Sequence, residues 1–99
     1  MSGFYQENLM LLHFNNLTLK EKVYAIRVYD SAMNYLRHCQ KGHRQNRYVT
    51  RIYVNSLLSD KCFGRLFYKK EIPDMERLKS LSKFDDAIAL YKKKIAEIR

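Results

Sequence analysis

A basic segment in the middle of the chain contains the residues best suited to chemistry. No aspartate or glutamate occurs between Asp30 and Asp60. The forked guanidinium groups of arginine suit contacts to phosphate, and tyrosine rings can stack on bases. The candidate binding residues of this segment are Arg37, Lys41, Arg44, Arg47, Tyr48 and Arg51. A solvated surface turn that happens to be basic would show the same pattern.

The run 58–71, LSDKCFGRLFYKKE, adds three further candidates. It resembles the recognition-helix stretch of AraC-family transcription regulators, and the resemblance implies that Ser59 caps such a helix. It also implies that Arg65, Lys69 and Lys70 face DNA. The run departs from the family by one deletion and one insertion, and the second helix-turn-helix of those regulators has no counterpart here. A basic amphipathic helix can show this pattern by coincidence, so we assign no family from it.

Metal binding and catalysis have weaker support. The metal-ligating residue types in the middle of the chain are His38, Cys39, His43 and Cys62. Their spacing contains neither Cys-x-x-Cys nor His-x₃-His. His38, His43 and Lys41 carry groups suited to acid–base cleavage of RNA, but nothing in the sequence orients them. We therefore expect a non-enzymatic protein with no metal, no cofactor and no small-molecule substrate.

The composition bounds the class of protein. The 99 residues fit one helical domain, 1–99, and 46% are hydrophobic, which is enough for a core. Two cysteines are too few for a disulfide framework, so we expect reduced thiols. No apolar run approaches the about 18–20 residues of a membrane span, and the N-terminus lacks the pattern of a secretory signal. We expect an intracellular protein, located in the cytoplasm or, for a viral protein, in the host cytoplasm.

The net charge of +9 favours an acidic partner, and DNA or RNA is the first candidate. The alternative is an interaction or structural module whose basic face meets an acidic protein or a second copy of the chain. Eight tyrosines are consistent with such a surface, because their rings combine an apolar body with a polar tip. We also expect a homodimer. Small viral and mobile-element proteins often share this size and charge.

A long helix must position the start of the basic segment. Thr18 and Glu21 have capping-box spacing, and Gly42 supplies a stop. Together they predict a helix from Leu19 to about Lys41. Its apolar face recurs every three or four residues and comprises Leu19, Val23, Ile26, Tyr29, Met33 and Leu36.

The remaining helix signals lie nearer the two ends of the chain. Ser82 is the predicted cap of a C-terminal helix with Asp85 and Asp86 in its first turn. The apolar stripe of that helix comprises Phe84, Ile88, Tyr91, Ile95 and Ile98. Pro73 is the predicted first residue of a short helix that ends at 80–82. A further helix is predicted over 4–13.

The segment 48–68 fits two structures. Its β-branched and aromatic residues favour a strand, whereas Asn46 as a cap favours a helix. The helical face would comprise Val49, Ile52, Tyr53 and Leu57. We favour helices, because the neighbouring elements are helices and no hairpin turn joins the two halves. The predicted fold class is all-α, a small bundle of four to five helices, with a short two-stranded ribbon around residues 48–68 as the alternative.

Overall fold

The computed structural model describes residues 15–59, 63–67 and 71–98. Within this part of the chain lie α1 (Leu19–Gln40), α2 (Arg47–Ser59), α3 (Gly64–Phe67), α4 (Asp74–Ser80), a 3₁₀ helix (Leu81–Phe84) and α5 (Asp85–Ile98). The described residues contain no strand, so the all-helical class is confirmed and the ribbon is not found there. The predicted bundle of four to five helices is matched only in part. Three helices are long, whereas α3 has 4 residues and α4 has 7.

Both ends of α1 follow the sequence prediction. The backbone nitrogen of Glu21 donates to Oγ1 of Thr18 at 3.2 Å, and the backbone nitrogen of Thr18 donates to Oε1 of Glu21 at 3.0 Å. At the other end, Gly42 has a φ of +97°, a left-handed conformation that glycine adopts without steric cost. The predicted helix therefore agrees with α1 to within one residue.

The helix α1 lies at the centre of the fold and contacts α2, α4, the 3₁₀ helix and α5. Its buried residues are Ala25, Ile26, Tyr29, Ala32, Met33 and Leu36, which include most of the predicted face. Leu19 and Ile98 were also predicted to lie on apolar faces, but both are exposed. Leu19 is the first residue of α1 and Ile98 the last of α5, so each lies at the outer end of its helix.

Aromatic rings fill the core around Phe63, the residue that precedes α3. The fully buried ring of Phe63 lies 6.1 Å from that of Tyr29, 6.3 Å from that of Phe67 and 6.3 Å from that of Phe84, between centroids. Such separations are typical of favourable aromatic contacts. This cluster joins α1 and α3 to the 3₁₀ helix.

The buried face of α2 differs from the predicted one. The structure buries Thr50, Val54 and Leu57, and it leaves Ile52 exposed. A polar residue can be buried here because the Thr50 hydroxyl donates to the backbone oxygen of Asn46 at 2.9 Å. Of the predicted face, Leu57 is buried and Tyr53 is half-buried against the core, whereas Val49 is half-buried and Ile52 is exposed.

The start of the C-terminal helix was predicted incorrectly. Ser82 is not an N-cap, because it lies within the 3₁₀ helix and its Oγ donates to the backbone oxygen of Lys79 at 3.0 Å. Asp85 and Asp86 do occupy the first turn of α5, as predicted. The carboxylate of Asp85 accepts a hydrogen bond from the hydroxyl of Tyr29, a buried residue of α1.

The short helix α4 is shifted by one residue from its prediction. Pro73 precedes it in an extended conformation, and the helix begins at Asp74. The helix ends at Ser80, within the predicted segment 80–82, and the 3₁₀ helix that follows continues directly into α5. The predicted helix over 4–13 lies outside the described residues.

Candidate nucleic-acid interface

The loop between α1 and α2 folds back along the last turn of α1. The rings of His38 and His43 are stacked, with centroids 3.8 Å apart and planes inclined by 5°. His38 belongs to α1 and His43 follows the turn at Gly42, so the stack joins the loop to the helix it leaves. This contact sets the direction in which the chain approaches Arg44.

Asn46 fixes the start of α2 from both sides. Its Oδ1 accepts from the backbone nitrogens of Tyr48 at 3.0 Å and Val49 at 3.2 Å, which confirms it as the predicted cap. Its own backbone nitrogen donates to the hydroxyl of Tyr35 on α1 at 2.9 Å. The same hydroxyl lies 2.8 Å from Oγ1 of Thr50. Tyr35 therefore ties the first turn of α2 to α1.

Two adjoining clefts open beside this first turn. The first has a volume of about 730 Å³, and the described residues that line it are Arg44, Gln45, Asn46 and Arg47. The second, of about 580 Å³, is lined by Gln45, Arg47, Tyr48, Thr50, Arg51, Pro73, Asp74 and Met75. Gln45 and Arg47 line both clefts. We use the term basic surface for Arg44, Arg47, Tyr48 and Arg51, the four predicted site residues that the structure brings together here.

Arg44 and Arg47 carry the accessible positive charge of the basic surface. Both side chains are exposed, and neither has a carboxylate partner among the described residues. The first turn of α2 contains no acidic residue. The partial positive charge of the helix N-terminus therefore adds to that of the guanidinium groups.

Arg51 is already engaged within the protein. Its Nε lies 2.7 Å from Oδ2 of Asp74, whose side chain is only 18% exposed. The other carboxylate oxygen of Asp74 lies 4.0 Å from Nη1 of Arg77, a buried residue whose Nε donates to the backbone oxygen of Ile72 at 3.1 Å. A ligand must compete with Asp74 for Arg51, so Arg51 contributes less free charge than its sequence position indicates.

The other predicted site residues lie apart from the clefts or outside the described residues. Arg37 and Lys41 are exposed at the end of α1, and Nη1 of Arg37 donates to Oδ1 of Asn34 at 3.1 Å. The side chain of Arg65 and the whole of Lys69 and Lys70 lie outside the part of the chain that the structure describes.

The arrangement suits anion binding and stacking better than metal coordination. In the described ranges, no group of three or more histidine, cysteine, aspartate or glutamate side chains is placed to hold a metal ion. Cys39 is a free thiol, and the histidine rings beside it lie face to face. Cys62 lies outside these ranges.

Tyr35 is the residue of this site that sequence reasoning missed. It does not belong to the apolar face of α1, and its link to Asn46 spans a turn whose path the sequence does not specify. The sequence shows only a tyrosine in the last third of a predicted helix, off its apolar face.

Comparisons with protein-family models, with curated proteins and with solved structures found no match to the chain. The resemblance of 58–71 to AraC-family recognition helices therefore gains no support from them. Among the described helices, none is long and apolar enough to cross a membrane.

Proposed function

We propose that the protein binds nucleic acid through the basic surface, without enzymatic activity. The observation that carries the proposal is the placement of Arg44 and Arg47. Both are exposed at the rim of an open cleft, beside the N-terminus of α2, in a stretch of sequence that contains no acidic residue. A polyanion can approach these guanidinium groups without meeting a carboxylate from that stretch.

Phosphate contacts supply most of the affinity in this proposal. Guanidinium groups bind phosphate oxygens through paired hydrogen bonds, and each phosphate that is neutralised releases condensed counterions. Arg37 and Lys41 extend the positive charge onto the end of α1. Arg51 contributes less to these contacts, because its Nε is paired with Asp74.

Fluorescence anisotropy with labelled duplex DNA and labelled single-stranded RNA, at about 50 and 200 mM salt, tests the proposal. We expect submicromolar binding at the lower salt that weakens steeply at the higher. The double variant Arg44→Ala/Arg47→Ala should bind far more weakly. It should also make the negative slope of log K against log salt shallower by about 1.4 to 1.8, the contribution of two phosphate contacts.

A charge-matched control distinguishes binding at the basic surface from attraction by the overall positive charge of the protein. Lys83→Ala/Lys93→Ala removes two exposed cations from the 3₁₀ helix and α5. The control should retain nearly all of the affinity. Equal losses in both variants, or no binding of either nucleic acid at the lower salt, would contradict the proposal.

A second candidate function is a protein-interaction module. An apolar groove of about 340 Å³ lies between the start of α1 and the end of α5, and its described lining is Asn15, Leu19, Lys22, Tyr91, Lys94, Ile95 and Ile98. Apolar side chains with lysines beside them fit an amphipathic segment that carries carboxylates. The homodimer, which stays a prediction, would place a second copy of the chain in this groove. Sedimentation velocity tests it, since Ile98→Asp should convert such a dimer to monomer.

A further inference from the structure

We propose that the cleft between α2 and α4 binds an unpaired nucleobase, so that the protein prefers single-stranded to duplex nucleic acid. This inference rests on the proposed function and names the substrate class of the same surface.

Tyr48 provides the stacking face. Its side chain is 76% exposed, the largest exposed fraction among the large hydrophobic residues of the described chain. Its backbone is nevertheless fixed in the first turn of α2, because the Tyr48 nitrogen donates to Oδ1 of Asn46. Within the described part of the chain, no other aromatic ring covers it. An exposed aromatic ring on such a turn offers a face on which a base can stack.

Pro73 and Met75 line the same cleft as Tyr48 and supply apolar surface on its α4 side. The thioether of methionine makes favourable contacts with aromatic rings, which include those of bases. The cleft volume of about 580 Å³ lies within the range of about 300–1,000 Å³ that is usual for small-ligand sites. The cleft is therefore large enough for a single nucleotide.

In this proposal the base and the phosphate of one nucleotide occupy different clefts. Arg47 and Gln45 line both, so a base in the second cleft places its phosphate toward Arg44 and Arg47 in the first. The amide of Gln45 can donate to or accept from the edge of a base. That edge is free in a single strand, whereas the complementary strand occupies it in a duplex.

Anisotropy with a 12-nucleotide single strand and with its own duplex tests the inference. Tyr48→Ala should weaken single-strand binding about tenfold, the loss expected for one base–aromatic stack, and duplex binding less than twofold. The matched control is Tyr24→Ala, which removes a tyrosine that is 58% exposed on α1 and should change neither affinity.

A fluorescence measurement reports on stacking directly. The chain contains no tryptophan, so Tyr48→Trp and Tyr24→Trp each introduce a single indole. Saturation with oligo(dT) should quench the indole at position 48 strongly and the one at position 24 little. Nucleic-acid binding without this quenching, or with equal loss from both alanine variants, would overturn the inference and leave the proposed function standing. Absence of binding to every oligonucleotide would overturn both.

Discussion

The hydroxyl oxygen of Tyr35 lies 2.9 Å from both the backbone nitrogen and the backbone oxygen of Asn46. It thereby connects the last third of α1 to the residue that caps α2. The ring of Tyr35 also lies 5.5 Å from that of Tyr53, which holds it against the buried side of α2. Because Arg44, Arg47 and Tyr48 lie within two residues of Asn46, their placement depends on this contact.

Tyr35→Phe should loosen the start of α2 without changing the shape of the core. It removes the hydroxyl that bonds Asn46 and Thr50, and we expect a fall of about 1 kcal/mol in the free energy of unfolding, measured with urea. Tyr24→Phe, on the exposed side of the same helix, is the control and should change little. Equal stabilities for the two variants would show that the Tyr35 contact does not hold α2.

Gly64→Ala should destabilise the fold. A Cβ atom at this position would lie 2.6 Å from the backbone oxygen of Leu58, so α2 and α3 would have to move apart. Displacing packed backbone typically costs about 1–3 kcal/mol, which urea unfolding measures. Asn55→Ala, an exposed substitution on α2, should stay within about 0.5 kcal/mol of the wild type. An unchanged midpoint for Gly64→Ala would contradict the tight junction between the two helices.

Local signals predicted the helices well, because their causes lie within a few residues. The capping box of Thr18 and Glu21, the stop at Gly42 and the cap at Asn46 each depend on neighbouring backbone groups. The buried face of α2 was predicted only in part, since Thr50 is buried because Asn46 and the distant Tyr35 satisfy its hydroxyl. Hydrophobic periodicity contains no information about such partners.

The sequence predicted which basic residues form the site, but not which of them are engaged in ion pairs. The absence of acidic residues between Asp30 and Asp60 indicates the basic segment directly from sequence. The carboxylate that engages Arg51 belongs to Asp74, outside that stretch, and reaches it only because α4 packs against α2. The number of free cations therefore could not be counted from the sequence.

Asp74→Asn should strengthen nucleic-acid binding by releasing Arg51. One more available guanidinium should make the negative slope of log K against log salt steeper by about 0.7 for a single strand. The free energy of unfolding should fall, because buried Arg77 loses a nearby countercharge. Both are measured on the same protein, by anisotropy at two salt concentrations and by urea unfolding.

Glu76→Gln is the charge-matched control for this substitution. It lies on the same helix and pairs with Lys79 at 3.1 Å, away from Arg51. If Glu76→Gln strengthened binding as much as Asp74→Asn, the gain would reflect net charge alone and not the release of Arg51.

The titration of Tyr29 should lower the free energy of unfolding at alkaline pH. Burial, followed by the hydrogen bond to Asp85, raises the pKa of the Tyr29 hydroxyl well above its ordinary value. The folded state thus keeps a proton that the unfolded state loses near pH 10. This stabilisation is complete below about pH 10 and is lost progressively as the pH rises above it.

Comparison with Tyr29→Phe isolates this effect from the titration of lysines. The wild type should be the more stable protein at pH 8, by about 1 kcal/mol for the lost hydrogen bond. Its advantage should shrink between about pH 10 and pH 12, since phenylalanine does not titrate. A difference in unfolding free energy that stayed constant over this range would contradict the assigned pKa shift.

The most direct test of the proposed interface is a nitrogen-15 NMR titration of the whole chain with a 12-nucleotide single strand. If the basic surface binds nucleic acid, the largest shift changes should occur at the backbone amides of 44–51, with small changes along α5. Changes centred on α5 and the start of α1, or a spectrum that the oligonucleotide leaves unaltered, would contradict it.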